Sequence, residues 1–250
     1  MEIRLLGTGG WLPSDRRETA CVYLRKGADV LLLDAGTGFR RLVTDVDLLD
    51  RVERLHVALT HFHLDHTCGL VGMPAVTRVG TRDVWAPGRL VAGVAAEEMV
   101  HRLLDPPFLA ADAVDVTGQW VSAIHDLEPD VEIGPFRLEV RVQPRHTGRT
   151  VALKVDGELV YCTDTAYDEE NAAFARGARL LLHEAFWAAD TTDDPQHSAA
   201  GEAARIARAA GVDQLVLVHV HPLLADDDEL AAPARGRFPA SEVGRDGLVL

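Results

Sequence analysis

Lysine is nearly absent from this chain. Lys26 and Lys154 are two of only 25 basic residues, set against 39 acidic ones in 250. The formal net charge of −14 gives no cationic surface on which a polyanion would settle, so long nucleic acid is a disfavoured partner. Cysteine is scarce as well. Cys21, Cys68 and Cys162 are odd in number and far apart, which excludes a disulfide framework and a zinc clip. They read as reduced thiols, and a cytoplasmic location is expected. No apolar run approaches the length of a membrane span. The opening "MEIRLLGTGG" reads as a strand and turn rather than a basic start followed by an apolar run, so neither a membrane partner nor a signal peptide is expected. There is no repeat, low-complexity block or linker, and one domain over residues 1–250 is the simplest organisation.

What the chain has instead is a succession of short apolar runs bounded by Gly, Pro or Asp. The pattern predicts strands at Ile3–Leu6, Cys21–Leu24, Val30–Leu33, Leu55–Leu59, Phe136–Val142, Val151–Val155, Leu159–Cys162, Leu180–Leu182 and Leu215–Val218. Helical patterns lie over residues 94–105, over 170–178, and in "SAAGEAARIARAAG", with Ser198 as N-cap and Gly211 as the stop. The acidic, Pro-containing segment 223–243 reads as loop or irregular helix. Strands interleaved with helices predict an α/β or α+β fold whose sheets are covered by helices.

The densest chemistry lies in "ALTHFHLDHTCGL", residues 58–70. Three imidazoles and a carboxylate (His61, His63, Asp65, His66) follow directly on an apolar strand. The event recurs: His146 follows the 136–142 strand, Asp164 the 159–162 strand, His183 and Glu184 the 180–182 strand, and His219 and His221 the 215–218 strand. Strand ends that share one rim of a sheet would bring these groups together. Zinc takes imidazole nitrogen and carboxylate oxygen, and two ions sharing a carboxylate clamp a phosphoryl or acyl oxygen. His61, His63, Asp65, His66, His146, Asp164 and His219 supply a set of that size. His/Asp sites accept Zn2+, Mn2+ and Fe alike, with Zn2+ the first expectation.

"THFHLDH" resembles the H-x-H-x-D-H signature of the metallo-β-lactamase fold, a four-layer αβ/βα sandwich, and "LLGTGG" and "LLLDAGTG" resemble that family's opening turns. The resemblance covers nearly the whole chain. It implies that His61, His63 and His146 hold one divalent ion, that Asp65, His66 and His219 hold a second, and that Asp164 bridges them. It gives Asp34 an orienting role. "LLHEAFW" followed by "QHSAAGEAARIA" is similar to the ribonuclease Z-like phosphodiesterase branch. There it implies a catalytic pair, His197 partnered by Glu184, that protonates the leaving oxygen, with Asp65 counted both as ligand and as catalytic residue. Dimers are common in that branch, so a homodimer is a possible assembly. One departure is plain. Bacterial tRNA-processing members typically carry a long basic arm between the third ligand and the bridge. Here 17 residues separate His146 from Asp164, and "RTVALKVDGELVYCTD" reads as a hairpin turning at "DG".

These readings leave alternatives. His219 and His221, two apart after one strand, would face the same way in extended chain, so either could be the last ligand. Ser198 is an N-cap rather than a nucleophile, His183 is structural, and His101 and His125 are taken as non-catalytic. The function expected is metal-dependent hydrolysis of a small phosphodiester or (cyclic) nucleotide by a hydroxide shared between two ions. A ribonuclease is the first alternative, with Arg40, Arg41, Arg145 and Arg149 as the local basic residues. Lactone or thioester hydrolysis and a non-catalytic metal-binding role are the others.

Overall fold

The computed structural model describes residues 1–105, 120–224 and 226–250. Two sheets face each other. The first has the order β1-β2-β3-β4-β5-β6, built from Glu2–Gly7, Cys21–Lys26, Asp29–Leu33, Arg54–Ala58, Thr81–Ala86 and Ala123–Asp126. The second runs β13-β12-β11-β10-β9-β8-β7, where β7 is Asp130–Ile133, β8 Phe136–Gln143, β9 Thr150–Val155, β10 Leu159–Cys162, β11 Leu180–Glu184, β12 Gln214–Val218 and β13 Ser241–Val243. In each sheet an antiparallel half meets a parallel half, β3 to β6 in the first and β10 to β13 in the second.

Alternation along the strands decides the layers. In β3, Val30 and Leu32 face a cluster with Phe39 and Leu42 of α1 (Phe39–Thr44) and Val100 of α3 (Ala96–Leu104). Leu31 and Leu33 face the opposite way, into the layer between the sheets. In β12, Leu215 and Leu217 meet α5 (Ala200–Ala210) and α6 (Asp227–Arg237), while Val216 and Val218 enter the intersheet layer. Strands buried on both faces read as continuous apolar runs, which is why the sequence shows them as such. The result is the expected helix–sheet–sheet–helix sandwich.

Several elements differ from expectation. Strands β5, β6, β7 and β13 are additional; β6 and β7 are short, only half-buried and carry charged residues, so no apolar run announces them. Within segment 223–243, Asp227–Arg237 form α6 with Pro233 inside it, as the irregular-helix reading allows, and Ser241–Val243 form β13, which it did not include. Ser198 is not the N-cap of α5; Ala199 is, and Glu202 reaches back to accept from its backbone N–H at 2.9 Å. Ser198 Oγ instead donates to the Thr165 carbonyl at 2.7 Å, tying the α5 entrance to the loop after β10. The 170–178 pattern yields α4 over Glu170–Ala175. The hairpin between His146 and Asp164 is present as β9 and β10, reversing at Asp156 and Gly157, both with positive φ.

Candidate metal centre and active site

The parallel halves of both sheets end at one rim, and the loops leaving that rim carry the candidate residues. The His61–His66 loop follows β4, and His63 precedes the short helix α2 (Leu64–Thr67). Asp164 follows β10, Glu184 is the last residue of β11, and His219 follows β12. Asp34, Asp164 and His219 all have positive φ, turning each side chain sharply out of its strand. That turn also separates His219 from His221, since the chain is no longer extended there.

Asp164 is the hub. Its Oδ1 lies 3.8 Å from His61 Nε2 and 3.7 Å from His146 Nε2. Its Oδ2 lies 3.0 Å from His66 Nε2 and 3.2 Å from His219 Nε2. His63 Nδ1 is 3.3 Å from His146 Nε2, and Asp65 Oδ2 is 3.4 Å from His66 Nε2 and 3.3 Å from His219 Nε2. Among the described residues three groups of potential ligands lie together: His61, His63, His146 and Asp164; Asp65, His66 and His219; and Asp164, His197 and His219, with Asp164 Oδ2 also 3.0 Å from His66 and 3.2 Å from His219. Donors held ~2.1 Å from a tetrahedral ion stand about 3.4 Å apart, which is the spacing here. The buried Nε2 atoms of His61 and His66 have no hydrogen-bond partner, as expected of nitrogens reserved for an ion. The cluster fits divalent metal.

Partners behind the cluster fix which nitrogen faces it. Asp34 accepts from His66 Nδ1 at 2.8 Å, from the Thr60 backbone N–H at 2.7 Å and from the Tyr161 hydroxyl at 3.2 Å. Asp34 thus orients His66 and is not itself a ligand. Thr60 Oγ1 lies 3.0 Å from His61 Nδ1, and the Gln196 carbonyl accepts from His146 Nδ1 at 3.0 Å. Gly10 packs against the His219 ring so closely that a Cβ would fall 2.4 Å from it, so only glycine fits.

Burial works against charge on His61 and His63, and neighbouring imidazoles add to it, so both are held below the usual histidine range. Burial also opposes charge on Asp164, but His219, His66 and His61 outweigh it and keep the carboxylate ionised; His66 and His219 do the same for Asp65. For His66, burial is overcome by Asp164, Asp34 and Asp65, and its pKa is raised well above normal.

Glu184 is fully buried. It accepts from the Thr165 and Ser198 backbone N–H groups, and its Oε2 lies 3.2 Å from His197 Nδ1. Burial disfavours the His197 imidazolium, yet the hydrogen bond and charge of Glu184, with Asp164 and Asp194, lift its pKa to about 9. His197 stacks on Phe186 with centroids 4.4 Å apart and lines a cavity of about 320 Å³ above Asp164, together with His63, Asp65, His146, Gln196 and His219. Trp11, Phe186 and Gln196 are not among the expected site residues; Phe186 and Gln196 lie inside the two quoted motifs, but only the fold brings their loops and that of Trp11 to this rim.

The other histidines lie elsewhere. His183 is buried, with its Nδ1 bonded to the Glu184 carbonyl. His101 is on α3, 3.2 Å from Asp105, and His125 stacks on Trp85. His221 belongs to none of the three ligand groups but lines the cavity. No helix among the described residues is long and apolar enough to cross a membrane.

Residues 30–220 match the family described as "Beta-lactamase superfamily domain". The chain is 28% identical over 309 aligned positions to a ribonuclease Z of Synechococcus sp. (strain CC9311), covering 99% of this chain and 98% of that protein. The alignment exceeds the 250 residues here, so that relative carries insertions this chain lacks. The fold is similar to the metallo-β-lactamase fold protein YhfI from Bacillus subtilis, with TM-score 0.81 and 23% identity over 100% of this chain and 98% of that one. It is also similar to a diphosphatase from the PhnP family, with TM-score 0.75 and 16% identity over 100% and 96% of the two chains. The protein belongs to the β-lactamase superfamily, as a metal-dependent hydrolase of the metallo-β-lactamase fold that is similar to ribonuclease Z.

Proposed function

We propose that this hydrolase cleaves a phosphodiester in a small molecule or nucleotide, in the cytoplasm, as one catalytic domain spanning the chain, with two divalent ions, Zn2+ foremost. The observation that carries the reading is the His197–Glu184 pair, 3.2 Å apart, at the wall of the cavity above Asp164. A proton donor beside a bridging carboxylate suits a reaction whose leaving group is an alkoxide. A thioester, which expels a thiolate, has less need of it.

His61, His63, His146 and Asp164 would hold one ion, and Asp65, His66, His219 and Asp164 the other. Bound there, the ions supply Lewis acidity and lower the pKa of water. The remaining tasks belong to the chain. Asp34, Thr60 and the Gln196 carbonyl keep imidazole lone pairs pointed inward. Glu184 holds His197 in its protonated form, Phe186 stacks on its ring, and Nε2 then gives its proton to the departing oxygen. Asp194, which accepts from the His197 backbone N–H at 3.2 Å, steadies the loop that carries it.

A ribonuclease reading draws on the ribonuclease Z relative, but the surface gives long RNA little to grip. Arg40 pairs with Glu18 and Arg41 with Asp246. That leaves Arg145 and Arg149, exposed on either side of His146, as local cations. The hairpin β9–β10 occupies the place where a tRNA-gripping arm would emerge.

The test compares leaving groups in protein with its metal content measured. His197→Ala should slow an alkyl or ribose phosphodiester by ~10²–10⁴-fold and a nitrophenyl diester far less, with metal retained. Equal slowing on both esters would mean that His197 binds the phosphate rather than protonating the leaving group. Metal loss would make it a ligand. Precursor tRNA processed as efficiently as small diesters would overturn the choice of substrate.

A further inference from the structure

One wall of the cavity above Asp164 is aromatic, and hydrolysis makes no use of it. Trp11, from the loop after β1, meets His221 edge-on with centroids 6.1 Å apart. Trp187, from the loop after β11, lies 5.4 Å from the same imidazole and tilted 30° to it, and Phe186 lies 4.6 Å from it. Phe186 in turn stacks on His197, so the aromatic row runs along the cavity to the candidate acid. The two indoles are not core residues: Trp11 is 58% exposed and Trp187 38%.

Both indoles are held in place. Trp11 has φ of 64°, a left-handed conformation that a bulky residue keeps only where the surroundings impose it. Here they do. Its backbone N–H donates to Asp65 Oδ2 at 2.7 Å, and Gly9 just before it bridges both Thr19 and Val220. The Trp187 Nε1–H donates to Asp194 Oδ2 at 2.9 Å, and Asp194 also accepts from the Gln196 and His197 backbone N–H groups. His221 Nδ1 accepts from the Leu223 N–H at 3.1 Å, fixing that ring as well. Trp11 and His221 line the cavity and Trp187 packs against His221, so each offers a pre-ordered ring face beside the reaction site. An aliphatic substrate would be served as well by aliphatic side chains at these positions.

We propose that Trp11, Trp187 and His221 form a stacking subsite for the base of a nucleotide whose phosphodiester lies over Asp164. The proposal rests on the phosphodiesterase reading above and names its substrate class. Stacking on an indole tolerates any base, so the subsite favours nucleotides over alkyl phosphodiesters without choosing among bases. The cavity, about 320 Å³, is at the small end for ligand pockets and matches about one nucleotide.

The experiment uses the metal-loaded protein, Trp11→Gly and Trp187→Ala singly and together, and Trp187→Phe. Glycine retains the left-handed backbone and its N–H to Asp65, so loss of the ring is separated from loss of the turn. Titrated AMP should quench tryptophan emission in the parent and lose most of that quenching in the double variant. Trp85 and Trp120 remain as internal controls. The double variant should raise KM for a dinucleotide on the order of 10-fold with a smaller change in kcat, and raise KM for a glycerol alkyl phosphodiester much less. Trp187→Phe should recover part of the loss. Equal effects on both substrates, or no effect with AMP quenching unaltered, would overturn the subsite. If AMP quenching depends on the indoles but no phosphodiester is cleaved by the parent, the reaction reading fails and the subsite stands.

Discussion

At the residue scale, Asp164 has the most to do. One oxygen faces His61 and His146, the other His66 and His219. Asp164→Ala should therefore remove both metals and more activity than any single histidine change, as read by elemental analysis of protein purified without chelator. Close to two transition-metal ions per parent chain are expected; one would refute the dinuclear reading. Asp34 acts one step back, through His66. Asp34→Ala leaves the ligands in place but frees the His66 ring, and should weaken metal affinity about 10–100-fold in a competition with a chromogenic chelator. A third residue-scale expectation concerns pH. With a pKa of about 9, His197 keeps its proton below that pH and loses it above. Turnover of a poor leaving group should fall on the alkaline side. Glu184→Gln removes the charge that raises the pKa and should move that limb toward neutrality, whereas the nitrophenyl ester should show no such shift.

At the element scale, α6 is joined to the rest of the fold by a buried charge. Asp227, in its first turn, accepts from Arg17 at 2.7 Å, and Arg17 also donates to Thr8 and to the Gly244 carbonyl. Arg17 is 6% exposed. Arg17→Ala leaves Asp227 paired with Arg16 and Arg245 but removes the buried bonds to Thr8 and the Gly244 carbonyl, and should lower unfolding free energy by about 1–3 kcal/mol in urea denaturation. Burial would raise the Asp227 pKa, but Arg17, with Arg245 and Arg16, outweighs it and lowers the value. A depressed carboxylate contributes stability above its unfolded pKa of about 3.9 and loses it as the pH falls through the folded value. The Arg17 variant should therefore show a shallower loss of stability than the parent on acidification below about pH 4.

At the scale of the whole molecule, metal and proton compete for the same nitrogens. His66 binds a proton strongly because Asp164, Asp34 and Asp65 surround it, and an ion must displace that proton. Metal affinity should fall as pH falls, and dialysis against chelator should strip the protein more readily at mildly acidic pH than at neutrality. Because the ligands come from loops of both sheets, stripping should also lower the thermal midpoint, and added metal should restore it. A midpoint indifferent to metal would mean that the ion is not shared between the two halves of the sandwich.

Much of this was legible in the sequence, for a physical reason. Strands buried on both faces must be apolar throughout, so β2, β3, β4, β9, β10, β11 and β12 were visible as runs. The side chains at their ends stood out because polar residues directly after such runs have few structural uses. The spacing of His61, His63, Asp65 and His66 in one loop was a local fact, and so was the hairpin turn at Asp156–Gly157. The short, half-buried strands β6 and β7 and the acidic helix α6 gave no such signal, because contacts distant in sequence stabilise them. Ser198 had the chemistry of an N-cap, but the Thr165 carbonyl, 33 positions away, claimed its hydroxyl. The choice between His219 and His221 could not be made from their spacing. A left-handed turn at His219 sends one ring toward Asp164 and the other to the cavity wall, and that turn is held by the packing of Gly10. The aromatic wall of Trp11, Trp187 and His221 comes from three loops that only the closing of the two sheets brings to one rim. Sequence determined which residues could bind metal and move protons; tertiary structure decided which nitrogen faces the cluster and which rings stand beside it, because those depend on backbone turns and on neighbours more than 150 positions away.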